Sequence, residues 1–307
     1  MRRRPVRFCS FSLQRKNRFG FELQEGRIVD LLEAGGELAA RGELSTSQKE
    51  LLGTPDLKSW LSRGAESIEV ARRIGELLKE SSEAIYPRED VRFLPPIPNP
   101  EKIICIGLNY RDHAEEQNLS LPQNPLIFAK FSSSLIGCDD EIELPAISQK
   151  VDPEAELCVV MLKSGKELSP ERAREAIAGY TIGNDVSARD LQFSDKQWVR
   201  GKSCDTFAPC GPFLVTEDEI GDPHQLNIEL SVNGKVQQSS NTQHLIFDCY
   251  TLVSYISQSI TLKTGDLIFT GTPAGVGVFR KPPVFLKKGD VVEVSIEKIG
   301  TLRNPVG

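Results

Sequence analysis

Four of the six residues from Pro95 to Pro100 are proline, and this run constrains the fold more than any other feature of the chain. Proline lacks an amide hydrogen and its ring clashes with the preceding turn, so neither a helix nor a central strand passes through Phe93-Leu94-Pro95-Pro96-Ile97-Pro98-Asn99-Pro100. The run divides the chain into a small N-terminal α+β domain, residues 1–95, and a larger domain, residues 101–305; 307 residues suffice for both. Upstream, residues 6–11 alternate like a strand, a hairpin is expected near Glu25-Gly26, and Ile68, Ala71, Ile74 and Leu78 recur at helical spacing within 65–80. This part holds no cluster of chemically useful residues and reads as a structural cap or an oligomer contact.

Downstream, the pattern turns to strands at 103–107, 154–162, 266–270 and 291–297, the last two introduced by Gly-Asp turns. Asn233-Gly234 between short apolar runs signals a hairpin. Helices are expected at about 110–117, 169–178 and 249–259. The second opens Ser169-Pro170-Glu171: a cap, a proline at the first helical position and an acid in the first turn. Strands and helices do not alternate steadily, so the expected fold is mixed α/β with a dominant β core rather than a doubly wound parallel sheet.

Composition excludes several function classes. The net charge is −6 with both signs interspersed, and no basic stripe marks a nucleic-acid partner beyond Arg2, Arg3 and Arg4. No apolar run approaches the roughly 20 residues of a membrane span, so no membrane partner is expected. Arg2–Arg4 with Arg7, Arg15, Lys16 and Arg18 precede the first acid, Glu22, as in a mitochondrial leader. The strand at 6–11 leaves that leader very short, so mitochondrial and cytoplasmic locations both stay open. Seven cysteines, at 9, 105, 138, 158, 204, 210 and 249, contain no Cys-x-x-Cys. They suggest neither a disulfide framework nor a zinc site, but buried reduced thiols in an intracellular protein.

The chemistry concentrates in carboxylates. On a strand, Glu154 and Glu156 project to one face, followed by Cys158 and Val160, while Ala155, Leu157 and Val159 face the other way. Adjacent carboxylates beside an apolar run need a metal, a shared proton or basic partners. A solvated strand start paired with lysines is the plainer alternative. Asp185 ends the apolar stretch Thr181-Ile182-Gly183-Asn184, where an uncompensated charge is costly. If these three carboxylates converge, their all-oxygen set suits Mg²⁺, Mn²⁺ or Ca²⁺.

Candidate acid–base groups are few. His113 and Glu116 stand three apart on the expected helix, a spacing that pairs a carboxylate with an imidazole and raises its basicity. His224 and His244 read as structural. Lys202, flanked by small residues, is a candidate anion contact, with an exposed loop lysine as the alternative. Gly271-Thr272-Pro273, with Gly275 and Gly277, forms a glycine-rich loop able to present amides to a carboxylate, without the spacing of a phosphate-binding loop.

Taken together, Gly-Leu-Asn-Tyr-Arg-Asp-His (107–113), Glu-Ala-Glu-Leu (154–157), Asn-Asp-Val-Ser-Ala-Arg-Asp (184–190), Gly-Lys-Ser-Cys-Asp-Thr-Phe (201–207) and Thr-Gly-Thr-Pro-Ala-Gly-Val-Gly (270–277) resemble the fumarylacetoacetate hydrolase family in its motif order. Residues 278–290 and the form of the N-terminal part resemble its domain-containing type 2 branch. The resemblance implies a β-roll, usually homodimeric, with one Mg²⁺ (or Mn²⁺ or Ca²⁺) on Glu154, Glu156 and Asp185. It implies an acid–base pair at His113 and Glu116, an active-site lysine at Lys202, and substrate contacts at Arg189, Gln192, Gly271 and Thr272. Ser203-Cys204 departs from the aromatic usual after that lysine, a change expected at the pocket wall.

The expected substrate is a small 2-oxo or β-dicarbonyl acid. Three carboxylates, one divalent ion and Lys202 give a nearly neutral site, and polarising the 2-oxo group stabilises the enolate at the neighbouring carbon. The resemblance implies oxaloacetate keto–enol tautomerisation first. Acylpyruvate-type C–C hydrolysis or oxaloacetate decarboxylation follow from the same enolate. A binding protein that kept the fold and lost the chemistry is the alternative from another class, disfavoured because no ligand position is missing.

Overall fold

In the computed structural model, residues 6–24, 26–194 and 196–307 are described; Arg2–Arg4 and Glu25 lie outside them, and with them the basic leader and one residue of the expected hairpin turn. A sheet of twelve strands spans the molecule. Its main path runs Ile85–Pro87, Arg27–Asp30, Lys16–Gln24, Arg7–Leu13, Ala208–Val215, Ile177–Asn184, Ala155–Met161, Leu267–Phe269, Ile103–Gly107 and Leu126–Lys130, and it does not close into a barrel. The pairings along this path are antiparallel except Leu267–Phe269 on Ile103–Gly107. A separate four-stranded antiparallel sheet is ordered Lys235–Asn241, Asn227–Val232, Val291–Ile296, Gly300–Pro305. The fold is the expected mixed α/β with a sheet-dominated core.

The large sheet crosses the proline run. Phe8 pairs with Leu214 and Arg7 with Val215, so the N-terminal strands extend the sheet that carries the rest of the chain. Burial on two faces sets the layers. Along Ala155–Met161, Leu157, Val159 and Met161 join a core shared with the four-stranded sheet and the helix Cys249–Ser257. Cys158 and Val160 point the other way, into a core completed by Trp60, Leu57 and Ile74 of the N-terminal helices. A strand covered on both sides buries residues of both faces, and every residue from Ala155 to Met161 is buried, Glu156 being the one charged member. All seven cysteines are free thiols and six are buried.

The expected helices occur as Ala65–Leu77, Arg111–Glu116, Pro170–Glu175 and Cys249–Ser257. The third is shorter than the sequence pattern predicts, because Ile177 and Ala178 already belong to the buried strand Ile177–Asn184. The strand Ala208–Val215 was hidden by Pro209, Gly211 and Pro212. It tolerates them because its ladder with Arg7–Leu13 uses only Leu214 and Val215, and its register on Ile177–Asn184 shifts between Tyr180 and Ile182. Phe8, fully buried at this junction, should be a sensitive probe of it. Phe8→Ala is expected to cost about 3–5 kcal/mol, measured as a lowered urea midpoint; an unmoved midpoint would contradict the continuous sheet.

Candidate active site

Strand pairing brings the acids together. Glu156 lies opposite Gly183 and Ala155 opposite Asn184, so the strand starting at Ala155 and the strand ending at Asn184 put Glu154 and Asp185 side by side. Main-chain bonds lock the junction: the Asp185 N–H donates to the Glu154 carbonyl at 2.9 Å, and the Glu154 N–H to Asn184 Oδ1 at 2.9 Å. One carboxylate oxygen from each of Glu154, Glu156 and Asp185 falls within 4.8 Å of the others, and all three residues are buried. The solvated alternative for Glu154 and Glu156 is therefore excluded.

Three cations answer these acids. Lys202 Nζ donates to Glu154 Oε2 and Asp185 Oδ2, both at 2.6 Å. Arg189 spreads its guanidinium over Asp152 (Nε, 2.9 Å), Gln192 (Nη1, 2.9 Å) and Glu154 (Nη2, 2.5 Å). Lys130 Nζ, fully buried, donates to Asp185 Oδ1 at 2.6 Å and to the Val186 carbonyl at 3.1 Å. Lys130 and Asp152 were missed by sequence reasoning. A lysine closing an apolar strand, Leu126–Lys130, is the one signal that could have flagged the first; nothing local flagged the second.

The three ligand candidates differ electrostatically. Burial alone would raise the Glu154 carboxyl, yet Arg189 and Lys202 outweigh it and hold Glu154 well below the usual carboxylate range. Burial, and then repulsion from Asp185 and Glu154, pushes Glu156 well above that range. Among the described residues no ion pair reaches Glu156; its recorded partner is the Gly271 N–H at 2.7 Å. Burial works against the charged Lys202, but Asp185 and Glu154 raise its pKa regardless.

Four buried carboxylates thus face three buried cations: Asp152, Glu154, Glu156 and Asp185 against Lys130, Arg189 and Lys202. The sequence tally of near neutrality omitted Lys130, Arg189 and Asp152. With all four acids ionised the set is one positive charge short. The shortage sits at Glu156, which burial and its neighbours otherwise drive to hold a proton, and the donors are hard oxygens. That donor set fits a divalent ion of the Mg²⁺, Mn²⁺ or Ca²⁺ kind, which would leave the site with one net positive charge for an anion.

His113 is buried on the short helix Arg111–Glu116, with Nδ1 3.0 Å from Glu116 Oε2 and Nε2 2.9 Å from the Gln117 amide. A carboxylate at Nδ1 fixes the proton there, so Nε2 carries the lone pair and accepts from Gln117. His113, Gln117, Lys202, Gln192, Arg189 and Thr272 line the cavity that contains Glu154, Glu156 and Asp185.

The glycine-rich loop does present amides to carboxylates, but to the protein's own. Gly271 N–H donates to Glu156, Gly275 N–H to Glu116 at 2.9 Å, and Gly277 and Val278 N–H to Asp152 at 2.8 and 3.0 Å. At Gly277 a Cβ would sit 2.6 Å from Asp152 Oδ1 and 2.0 Å from the Val284 carbonyl, so only glycine lets the acid approach. Thr272 Oγ1 accepts from Gln238 at 2.8 Å. Ser203 and Cys204 do not line the cavity; Ser203 Oγ accepts the Phe131 N–H instead. His224 caps Cys249 through Nε2 at 3.1 Å, a structural role as expected.

Comparison with known proteins identifies the family. Residues 102–307 match the fumarylacetoacetate hydrolase C-terminal family. The chain is 46% identical to a protein of Xenopus laevis named oxaloacetate tautomerase fahd2, mitochondrial, over 94% of this chain and 86% of that one. It is 48% identical to the human oxaloacetate tautomerase FAHD2A, mitochondrial, over 81% and 79%. Among solved structures, a fumarylacetoacetate hydrolase from Exiguobacterium antarcticum superposes with a TM-score of 0.79 at 37% identity, covering 98% of this chain and 99% of that one. With motifs, strand-end carboxylates and whole-chain similarity in accord, the chain belongs to the fumarylacetoacetate hydrolase family.

Proposed function

We propose that this protein is an oxaloacetate keto–enol tautomerase that works with a divalent cation, Mg²⁺ first, held by Glu154, Glu156 and Asp185. The observation that carries the reading is the buried triad, one positive charge short, in the same cavity as a tautomer-locked histidine. Two relatives at 46% and 48% identity bear the tautomerase name, which favours oxaloacetate among 2-oxo acids.

When bound, the ion would polarise the 2-oxo oxygen and favour the enolate over the neutral enol. The chain supplies the rest. Lys202 and Arg189 hold Glu154 and Asp185 ionised and in place. Lys202 Nζ, in the cavity and 2.6 Å from both acids, is placed to face an anionic oxygen of the substrate. His113 Nε2 is the proton carrier. It takes the enol O–H proton, Glu116 stabilises the imidazolium that results, and the proton is returned to C3. Atoms balance without water: one O–H bond breaks and one C–H bond forms.

Three outcomes test the reading. Decay of enol-oxaloacetate, followed by ultraviolet absorbance beside acylpyruvate cleavage, should be accelerated by the wild type, stopped by chelator and restored by Mg²⁺. Persistence of full activity in strong chelator sinks the metal assignment, and acylpyruvate cleavage without tautomerisation would favour the hydrolase reading. His113→Ala should lower kcat for the enol about 10²–10⁴-fold while keeping the Mg²⁺-dependent rise in melting temperature. Asp185→Asn should lose that thermal rise together with activity; a full Mg²⁺ response in this variant would remove Asp185 from the ligand set. The homodimer implied by the family resemblance is checked by sedimentation equilibrium, where a monomer at micromolar concentration rejects it.

A further inference from the structure

The cavity has two unlike ends. Among the described residues, every charged group lining it belongs to the cluster already described or is His113. The lysine and arginine there, Lys202 and Arg189, are both engaged by protein carboxylates. Apart from Gln117, Gln192 and Thr272 the rest of the wall is apolar, chiefly Leu108, Leu119, Leu126, Phe193, Trp198 and Phe279. Leu119, Leu126 and Phe193 are 51%, 46% and 55% exposed, an unusual concentration of bare apolar surface around one opening.

This wall is built, not incidental. The Trp198 indole packs edge-on against Phe128, ring centres 5.4 Å apart. It lies against Gly107, where a Cβ would come within 2.8 Å of Trp198 Cζ3, so glycine makes room for the indole. Opposite chemistry meets at Phe279, whose ring centre is 5.8 Å from that of His113. The proton carrier therefore stands beside an aromatic surface. The cavity as a whole, charged floor included, amounts to about 240 Å³, and its apolar wall extends to the opening.

We propose that the cavity also takes 2-oxo acids whose C3 carries an apolar ring, the arylpyruvate class, and tautomerises their enols. The proposal rests on the tautomerase reading for its chemistry and on the wall for its specificity. The 2-oxo acid end meets the charged floor, and the ring lies against Trp198 and Phe279, where among the described lining residues no cation stands beyond those already engaged. The enol O–H proton passes through His113 and a C3–H bond forms, so no oxidant or co-reactant is needed.

Phenylpyruvate is the probe, with pyruvate as its ring-free control. Trp198 faces the cavity, whereas the other tryptophan, Trp60, is fully buried in the N-terminal core. Titration in Mg²⁺ should quench tryptophan fluorescence about tenfold to hundredfold more tightly with phenylpyruvate than with pyruvate. The wild type should also accelerate decay of enol-phenylpyruvate. Trp198→Leu and Phe279→Ala should each lower the phenylpyruvate-to-oxaloacetate ratio of kcat/KM by about tenfold. If enol-oxaloacetate is turned over while phenylpyruvate binds no tighter than pyruvate, or its enol decays at the uncatalysed rate, this inference falls and the tautomerase reading stands. If neither enol is turned over, the tautomerase reading falls with the catalytic half of the proposal, and the fluorescence titration, which needs no turnover, still decides the wall.

Discussion

Charge balance among buried groups at the ends of two neighbouring strands is the constraint on which the rest of this structure depends. Removing a carboxylate from water costs several kcal/mol even after relaxation, and two acids side by side add repulsion. Glu154, Glu156, Asp185 and Asp152 are all buried, so each needs an answering charge or donor. Lys130, Lys202 and Arg189 meet that need for three of the four acids, each from a different segment of chain. Their side chains reach the acids only if Leu126–Lys130, Arg189–Ser194 and Trp198–Lys202 stand where they do. The ion cluster therefore specifies the tertiary arrangement around the site, beyond anything it adds to stability. Among the described residues Glu156 is left with the Gly271 amide, and an amide does not neutralise a carboxylate.

The same acids organise the loop that closes over them. Glu156, Glu116 and Asp152 accept from amides spaced along 271–278. Each bond to a charged acceptor is worth roughly twice a neutral one, so the loop is held by charge rather than by burial of its small side chains. Phe279 follows directly and is thereby fixed beside His113. The carboxylate cluster, the His113–Glu116 pair and the loop are one connected object, and a change at any of the acids reaches the other parts.

Much of this was legible in the sequence, for identifiable reasons. Strand alternation placed Glu154 and Glu156 on one face, and helical spacing paired His113 with Glu116, because both rules concern near neighbours in the chain. That Asp185 meets the glutamates is a matter of strand register, which spacing cannot give; the motif order supplied it through the family resemblance. Lys130 and Asp152 escaped notice because their partners are 55 and 37 residues away and nothing around them looks unusual. The strand Ala208–Val215 escaped because its prolines and glycine argue against a central strand, and only its shortened ladder permits them. The proline run was correctly seen as a break in regular structure. It did not reveal that Phe8 and Leu214, 206 positions apart, would pair across it.

Similar carboxylate sites serve several reactions, and what separates them is the fate of the proton and of water. Hydrolysis needs a water held between a base and a second carbonyl, and a held water needs about two to four polar partners. Here Thr272 Oγ1 already accepts from Gln238, Gln192 Oε1 already accepts from Arg189, and the wall beyond the charged cluster is largely leucine and aromatic carbon. Tautomerisation asks for less: a base that accepts a proton and gives it back, and surroundings dry enough that the enolate is not quenched at oxygen. A histidine with its tautomer locked by Glu116, beside the ring of Phe279, meets both requirements. Both reactions require His113 Nε2 to exchange Gln117 for substrate or water. Hydrolysis needs further polar partners for its water, and Thr272 and Gln192 are spent on holding the cavity together, which is the physical reason to prefer proton transfer over addition of water at this site.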